Sequence, residues 1–520
     1  MLSARRPLLL VFLAASVLWL PNLGTIPKWD WDEGYNLNYA RNISEGRLLW
    51  FSIKYAFVPH PPLFLLALSF LVKFFGGSIM VLRLFTVALN FALILLLYFI
   101  GLEAAGERVG LLASLLYAIY PSAVYWGRMG FANHLLSLLV VSSLYFLIRH
   151  IKHGGKWWIP CCLSAGLSAL TEPQGLFVAA TLSLYFLVRE KPGFIPAFSL
   201  LFTPFIIFFL VMSSTSEYFI GDVAFQFQRF KLAQPLILAL PVLFLAIIKR
   251  RFLTGFARSL FDPAGGFTTG FLFSLWYVPA TLLAAHLLLS VTLVAPLSAG
   301  SLFAGGDYYW LGIIGLLFLG GYMNHVLILY FLPSFLAVVA FGRSDHMFIP
   351  LYPFFAMGLA VLLSLLYQHL RGVAGLIPAI LIVSYPFPFA FYNSLSAHAP
   401  GGVFSPEPIS DLTEVAAYVN SHSHSGFVIT TSNLARYFKN STVITQSIVY
   451  AGYPIEYYPI YPSGRYAFNA SYLNAEYAVI PDGMLEWLWR YAPGPAVEIG
   501  RWPQVNSSGY YGVYRNPTSV

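Results

Sequence analysis

The stretch PPLFLLALSFLVKFF, Pro61 to Phe75, decides how the rest of the chain is threaded. It is apolar, opens on a proline pair, and falls short of the roughly 20 residues that a spanning helix needs. If it crossed a membrane, every later loop would change sides, and RHIKHGGK (Arg149–Lys156) would land outside. If it lies along the outer surface, the cationic segments sort to one side. Those segments carry Arg5 and Arg6, Arg108, Arg149/Lys152/Lys156, Arg189/Lys191, Lys249–Arg251 and Arg371. Positive residues collect on the cytoplasmic side of membrane proteins, so the second threading is expected, with 61–75 as a juxtamembrane helix.

That a membrane is involved follows from composition. Of 520 residues, 58% are hydrophobic and 10% charged, against about 25% charged in soluble domains. Long apolar runs lie near 8–26, 79–101, 109–126, 133–149, 157–172, 174–189, 194–213, 233–248, 271–295, 309–323, 325–341, 346–368 and 372–393, which gives about thirteen spans. The run at 8–26 follows Arg5-Arg6 and shows no cleavage site, so it reads as a retained helix with a cytoplasmic N-terminus. The net charge of +8 is spread over loops; no compact basic and aromatic surface points to nucleic acid. The two cysteines, Cys161 and Cys162, are adjacent and poor disulfide partners. Four sequons, at Asn42, Asn440, Asn469 and Asn506, fall on the expected outer side.

Near residue 394 the chain turns polar. DLTEVAAYVNSH and GMLEWLWRY have helical spacing, whereas FVITT, AEYAVIP and YYGVYR read as strands. The expected fold is therefore mainly α: a polytopic membrane domain over 1–393, with a first outer loop at about 27–78, and a small extracytoplasmic α/β domain over 394–520. The expected location is the plasma membrane, multi-pass.

Polar groups worth chemical attention gather at the expected outer junctions. KWDWDEGYNLNYARN holds Asp30, Asp32 and Glu33. Carboxylates beside a membrane suit a general base or a divalent cation held by Asp30 and Asp32; a solvated loop has the same pattern. His60 precedes the proline pair of VPHPPLF. YPSAVYWGRMGFANHLL supplies Arg128, Asn133 and His134, and AGGDYYWLG supplies Asp307, Tyr308 and Tyr309, the tyrosines equally suited to an interfacial belt. FGRSDHMFIPLYP brings Arg343 and His346 to the outer side, against the positive-inside bias. An arginine there calls for an anion. A phosphate fits its bidentate geometry, and Asp345 or lipid headgroups are the other partners.

These segments, in this order, resemble the membrane-embedded GT-C glycosyltransferases, in the branch of protein O-mannosyltransferases and lipid A aminoarabinose transferases. The resemblance covers about residues 8–393 and rests on DEGYNLNYARNISEG, HPPLF, LYAIYPSAVYWGRMGFANHLLSLL, DYYWLG and RSDHMFIPLYPFFAMGLAVLL. It implies a sugar donor on a polyprenyl or dolichyl phosphate and an acceptor protein, lipid or glycan met on the outer face. It also implies the key catalytic acid at Asp32, followed by Glu33, and cationic residues at His60, Arg343 and His346; with Arg128 added as a candidate, these would contact the donor phosphate. Two positions depart from the pattern. Pro59-His60 stands where a Glu-Lys-type pair is usual, and Asn133 where an aspartate is usual. Two other functions stay open, a lipid-linked sugar flippase and a non-catalytic binder of lipid-linked sugar. No internal repeat of the kind common in transporters is present.

Overall fold

The computed structural model describes residues 2–229, 311–317, 345–370 and 409–519, with short breaks and a few isolated positions between. The apolar runs at 233–248, 271–295 and 372–393, and the candidates Asp307, Tyr308, Tyr309 and Arg343, lie outside the described residues. The first half is helical: α1 (Leu2–Trp19), α2 (Trp31–Ser44), α3 (Pro62–Phe75), α4 (Ile79–Ala105), α5 (Glu107–Ala118), α6 (Pro121–Trp126) and α7 (Asn133–His153). There follow α8 (Trp158–Ala169), α9 (Gly175–Arg189), α10 (Phe194–Thr215), α11 (Phe219–Arg229), α12 (Gly312–Leu317) and α13 (Tyr352–Leu370). Among the described residues, four helical stretches are long and apolar enough to cross a membrane: 79–105, 133–153, 194–215 and 346–368. At 1.5 Å per residue, the 27 residues of α4 reach about 40 Å, more than the hydrocarbon core.

Burial ranks these helices. The apolar window of 346–368 is 78% buried and that of α10 only 11%. The first is the heart of the bundle, and the second presents Ile206, Ile207 and Leu210 outward. An apolar surface that would be untenable in water is the ordinary outside of a helix in lipid. Small residues bring the inner helices together. A Cβ on Gly315 of α12 would lie 1.7 Å from the Gly358 carbonyl oxygen of α13. Gly106, at φ +97°, reverses the chain between α4 and α5.

The run at 109–126 is not one helix. Pro121, which cannot donate an N–H, opens α6 after a break at Ile119–Tyr120. The segment 61–75 is a 14-residue helix, α3, whose Phe64, Leu65, Leu68 and Val72 are buried while Phe70, Phe74 and Phe75 are exposed. Arg149 and Lys152 surround Glu103 at the far end of α4 and α7, and Arg108 lies over Tyr367 nearby. This basic end is opposite the end that carries residues 19–33, 126–134 and 346.

Beyond 409 the chain forms helix α14 (Ile409–His422) and a five-stranded sheet. Its strands are β3 (Phe427–Thr430), β4 (Thr442–Thr445), β5 (Ala475–Pro481), β6 (Gln504–Ser508) and β7 (Tyr511–Arg515), in the order β4-β3-β5-β7-β6. β3 pairs in parallel with β4 and β5, whereas β7 pairs antiparallel with β5 and β6. AEYAVIP is buried along its whole length, as a central strand covered on both faces must be. Leu412, Val415, Ala416 and Val419 of α14, at helical spacing, are all buried.

This unit meets the helical part where the turn at Ala435–Tyr437 packs on α2 and at a hydrogen-bonded seam. The short hairpin β1 (Leu49–Trp50) and β2 (Ile53–Lys54), between α2 and α3, bridges Ile53 to Tyr466. Ala467 N–H donates to the Ser52 carbonyl (2.7 Å) and Lys54 Nζ to that of Gly464 (3.1 Å). Arg465 grips Asp222 of α11 with both terminal nitrogens, Nη1 at 2.6 Å from Oδ1, and its guanidinium lies 4.8 Å from the Tyr218 ring centre.

Candidate active site at one end of the bundle

The acidic stretch that follows α1 folds into the start of α2. Asp30 is its N-cap and accepts from Asp32 N–H at 2.8 Å; Glu33 reaches back to Asp30 N–H at 3.2 Å. This capping box settles the direction of each carboxylate. Successive helical residues point about 100° apart, so Asp32 and Glu33 part company.

Glu33 turns inward. It is fully buried, and Arg83 of α4 donates to it through Nε (2.8 Å) and Nη2 (2.7 Å). Gly130 N–H adds a third bond at 2.8 Å. Arg83 itself is fully buried and also donates to the carbonyls of Leu23 (3.0 Å) and Pro27 (2.7 Å). Glu33, expected as a second catalytic acid, is thus placed in the interior and paired with Arg83. It is the keystone that ties α2, α4 and the 127–132 loop together. Gly130 lies close under Leu82: a Cβ there would lie 2.3 Å from the Leu82 side chain, which would have to shift.

Asp32 turns outward. Its side chain is 42% exposed, and Oδ2 lies 3.6 Å from Nε2 of His346. The His346 ring is stacked on Phe131, with centroids 4.4 Å apart and planes within 6°, and meets the edge of Trp126. His346 was expected on a donor phosphate; here it faces the acid.

His60 and Glu172 form a second carboxylate–imidazole pair, Nδ1 to Oε1 at 3.2 Å. The His60 side chain is 40% exposed and that of Glu172 9%. Met347, next to His346, receives the amides of Gln174 (3.2 Å) and Asn133 (3.9 Å), so α7, the turn after α8 and the 345–351 segment meet beneath the two pairs.

The remaining candidates are built into the frame. Arg128 is fully buried and donates to the Pro21 carbonyl, and burial together with the Arg83 guanidinium lowers it to about 10. Arg128, expected on the donor phosphate, is thus placed in the interior beside Pro21. His134 is buried; Nε2–H donates to the Trp126 carbonyl (3.0 Å), so Nδ1 accepts from the Asn90 amide (3.1 Å). Asn133 is buried as well. The Asn42 sequon is unsuited to modification, since its amide is 8% exposed and donates to Leu49 O at 2.8 Å.

A divalent ion on Asp30 and Asp32 would have to share Asp30 with its helix-capping role. One oxygen of Asp30 is engaged as the helix cap, and burial with the Asp32 carboxylate raises Asp30 well above the usual carboxylate range. Among the described residues no three His, Cys, Asp or Glu side chains converge as a ligand set would. Glu172 and Arg83 were not singled out from the sequence. Both were legible in principle, as charges within or at the end of apolar runs, where an ionisable group needs a partner.

The fold of this chain is shared with solved structures of low sequence identity. Residues 59–217 match the family model of dolichyl-phosphate-mannose-protein mannosyltransferases. The structure is similar to that of ArnT from Cupriavidus metallidurans bound to undecaprenyl phosphate (TM-score 0.57, 12% identity, 98% of each chain covered). It is also similar to AglB, the oligosaccharyltransferase of the archaeon Archaeoglobus fulgidus, in complex with an inhibitory peptide and a dolichol-phosphate. There the TM-score is 0.57, the identity 14%, and 99% of this chain and 74% of the other are covered. No curated protein matches by sequence.

Proposed function

We propose that this protein is a glycosyltransferase that moves a sugar from a polyprenyl or dolichyl phosphate to an acceptor hydroxyl at the outer face of the plasma membrane. The observation that carries the reading is the presentation of Asp32. Its neighbour Glu33 is sealed into the scaffold, while Asp32, on the rigid α2 start, is exposed beside an imidazole at 3.6 Å.

In this reading Asp32 takes the acceptor's proton as the oxygen attacks the anomeric carbon. The bond from that carbon to the phosphate oxygen breaks, and its electron pair leaves on the lipid phosphate. One displacement inverts the anomeric centre. A positioned base contributes on the order of 10²–10⁴-fold. His346 orients Asp32 and steadies its charge. His60, together with Arg343 from the stretch outside the described residues, offsets the charge that builds on the phosphate. The polyprenyl chain lies among the apolar outer helices, and the sheet unit closes over the acceptor side. The N-terminus and the basic end of the bundle face the cytoplasm.

The test is product mass spectrometry after incubating the purified protein with a panel of lipid-phosphate sugars. Asp32→Asn should abolish transfer while the protein stays folded. Near-normal turnover by that variant would exclude Asp32 as the base.

A further inference from the structure

The pair His60–Glu172 is built with more care than a chance contact. His60 lies between Pro59 and the Pro61-Pro62 pair, so its backbone has little freedom. Glu172 sits in the tight turn between α8 and α9, where Thr171 N–H and Glu172 N–H both donate to the Ser168 carbonyl, at 3.1 and 3.2 Å. Gly175 N–H donates back to the Glu172 carbonyl at 2.9 Å. The turn is so close that a Cβ on Gly175 would lie 2.3 Å from the Ser168 carbonyl carbon. The two loops are joined directly, Leu63 N–H to Leu170 O at 2.9 Å. A buried carboxylate on a rigid turn thus meets one edge of a half-exposed imidazole on a rigid loop.

We infer that Glu172 is a positioning residue that fixes His60 with Nδ1–H toward its own carboxylate and so turns Nε2–H, on the other edge of the ring, into a held cation for the donor phosphate. The inference rests on the transferase reading above. A carboxylate that accepts from Nδ1–H sets the tautomer and ring angle of a histidine and stabilises the imidazolium. The transfer step stays balanced without proton loss from His60: the acceptor proton goes to Asp32, the electron pair goes to the phosphate oxygen, and His60 stabilises that oxygen through a hydrogen bond. Among the described residues, the ionisable groups around this pair include Tyr55, whose hydroxyl donates to the His60 carbonyl at 3.3 Å, Asp222 beyond Tyr55, and His346 with Asp32 beyond it.

The discriminating measurement is the pH profile of kcat/KM for wild type, Glu172→Gln and His60→Lys, and for Glu172→Gln in the His60→Lys background. Glu172→Gln keeps the shape and a hydrogen-bond acceptor but removes the charge. It should lose about tenfold on the alkaline side and little on the acid side, because an opposite charge at this distance favours the imidazolium by at least that factor. In the His60→Lys background, where the cation needs no help at neutral pH, the same change should cost less than about twofold. Equal loss at every pH, or equal loss in both backgrounds, would make Glu172 a purely structural residue and overturn the inference. If wild type transfers no sugar from any lipid-phosphate donor, the transferase reading falls and the pair is still decided by titration. The ¹³C-imidazole signal that disappears in His60→Gln should give up its proton at lower pH in Glu172→Gln; an unmoved midpoint overturns the inference.

Discussion

Two adjacent carboxylates in one helix turn should respond to the same substitution in opposite ways. Glu33 accepts from Arg83 Nε and Nη2, Gly130 N–H and Asp30 N–H, all within 3.2 Å, and has no exposed surface. Glu33→Gln removes the charge while Arg83 stays buried, and turns one amide N–H₂ toward donors. Breaking a buried pair by neutralising one partner costs about 3–5 kcal/mol, equal to a factor of about 10²–10⁴ in the folding equilibrium. Asp32→Asn removes a 42% exposed carboxylate whose nearest charged partner is His346 at 3.6 Å, and should change stability by no more than about 0.5 kcal/mol. The assay is tryptophan-monitored unfolding in detergent, run beside the transfer reaction on the folded fraction from gel filtration. Asp32→Asn should be stable and inactive. Glu33→Gln should be unstable, with activity lost in proportion to folded protein. The double change Glu33→Leu with Arg83→Met should be more stable than either single change, because apolar replacements of a buried pair are often neutral or stabilising. A Glu33→Gln protein as stable as wild type yet unable to transfer sugar would refute the scaffold role and return Glu33 to the chemistry.

Other outcomes follow from the same packing. Arg465→Ala leaves Asp222 buried without its ion pair, so hydrogen exchange at 49–54 and 463–467 should rise steeply; unchanged protection would mean that the seam does not depend on this pair. Asp30, raised by burial and by the Asp32 carboxylate, binds its proton more tightly folded than unfolded. Its contribution is therefore present in acid and lost as pH rises through the folded value. Asp30→Asn, an equally good N-cap, should flatten that fall, as read from unfolding midpoints across pH. Gly358→Ala would set a Cβ 1.8 Å from the Gly312 carbonyl oxygen and should cost about 1–3 kcal/mol or more, whereas Gly221→Ala, with open space around it, should be neutral or stabilising in the same unfolding assay.

The helices and most strands were legible because each follows from local periodicity. FVITT, AEYAVIP and YYGVYR fall on β3, β5 and β7, and DLTEVAAYVNSH on α14. Strand order was not legible, since β3 and β5 are brought together across an intervening strand. At the site, the sequence marked the DWDE cluster but not the division of labour within it. That division is made by Arg83, 50 residues from Glu33 and hidden in an apolar run that hydropathy reads as featureless. Glu172 escaped for the same reason: an acid at the end of a greasy segment has meaning only once His60, 112 residues away, is folded against it. Arg128 and His134 look alike in sequence to ligand-facing groups, and only burial separates them.

The hairpin at 49–54 lies between Asp32 and His60 in the chain, yet it is completed by residues 464–467, 410 to 415 positions later. At ribosomal speeds of about 5–20 residues per second, that separation is roughly 20–80 s. During that interval α3 to α14 are made while Ser52 and Ile53 still lack the partners that hold them. The loop framing the site is thus finished by a segment made long after it, and the membrane bundle can be inserted well before its reactive end is closed.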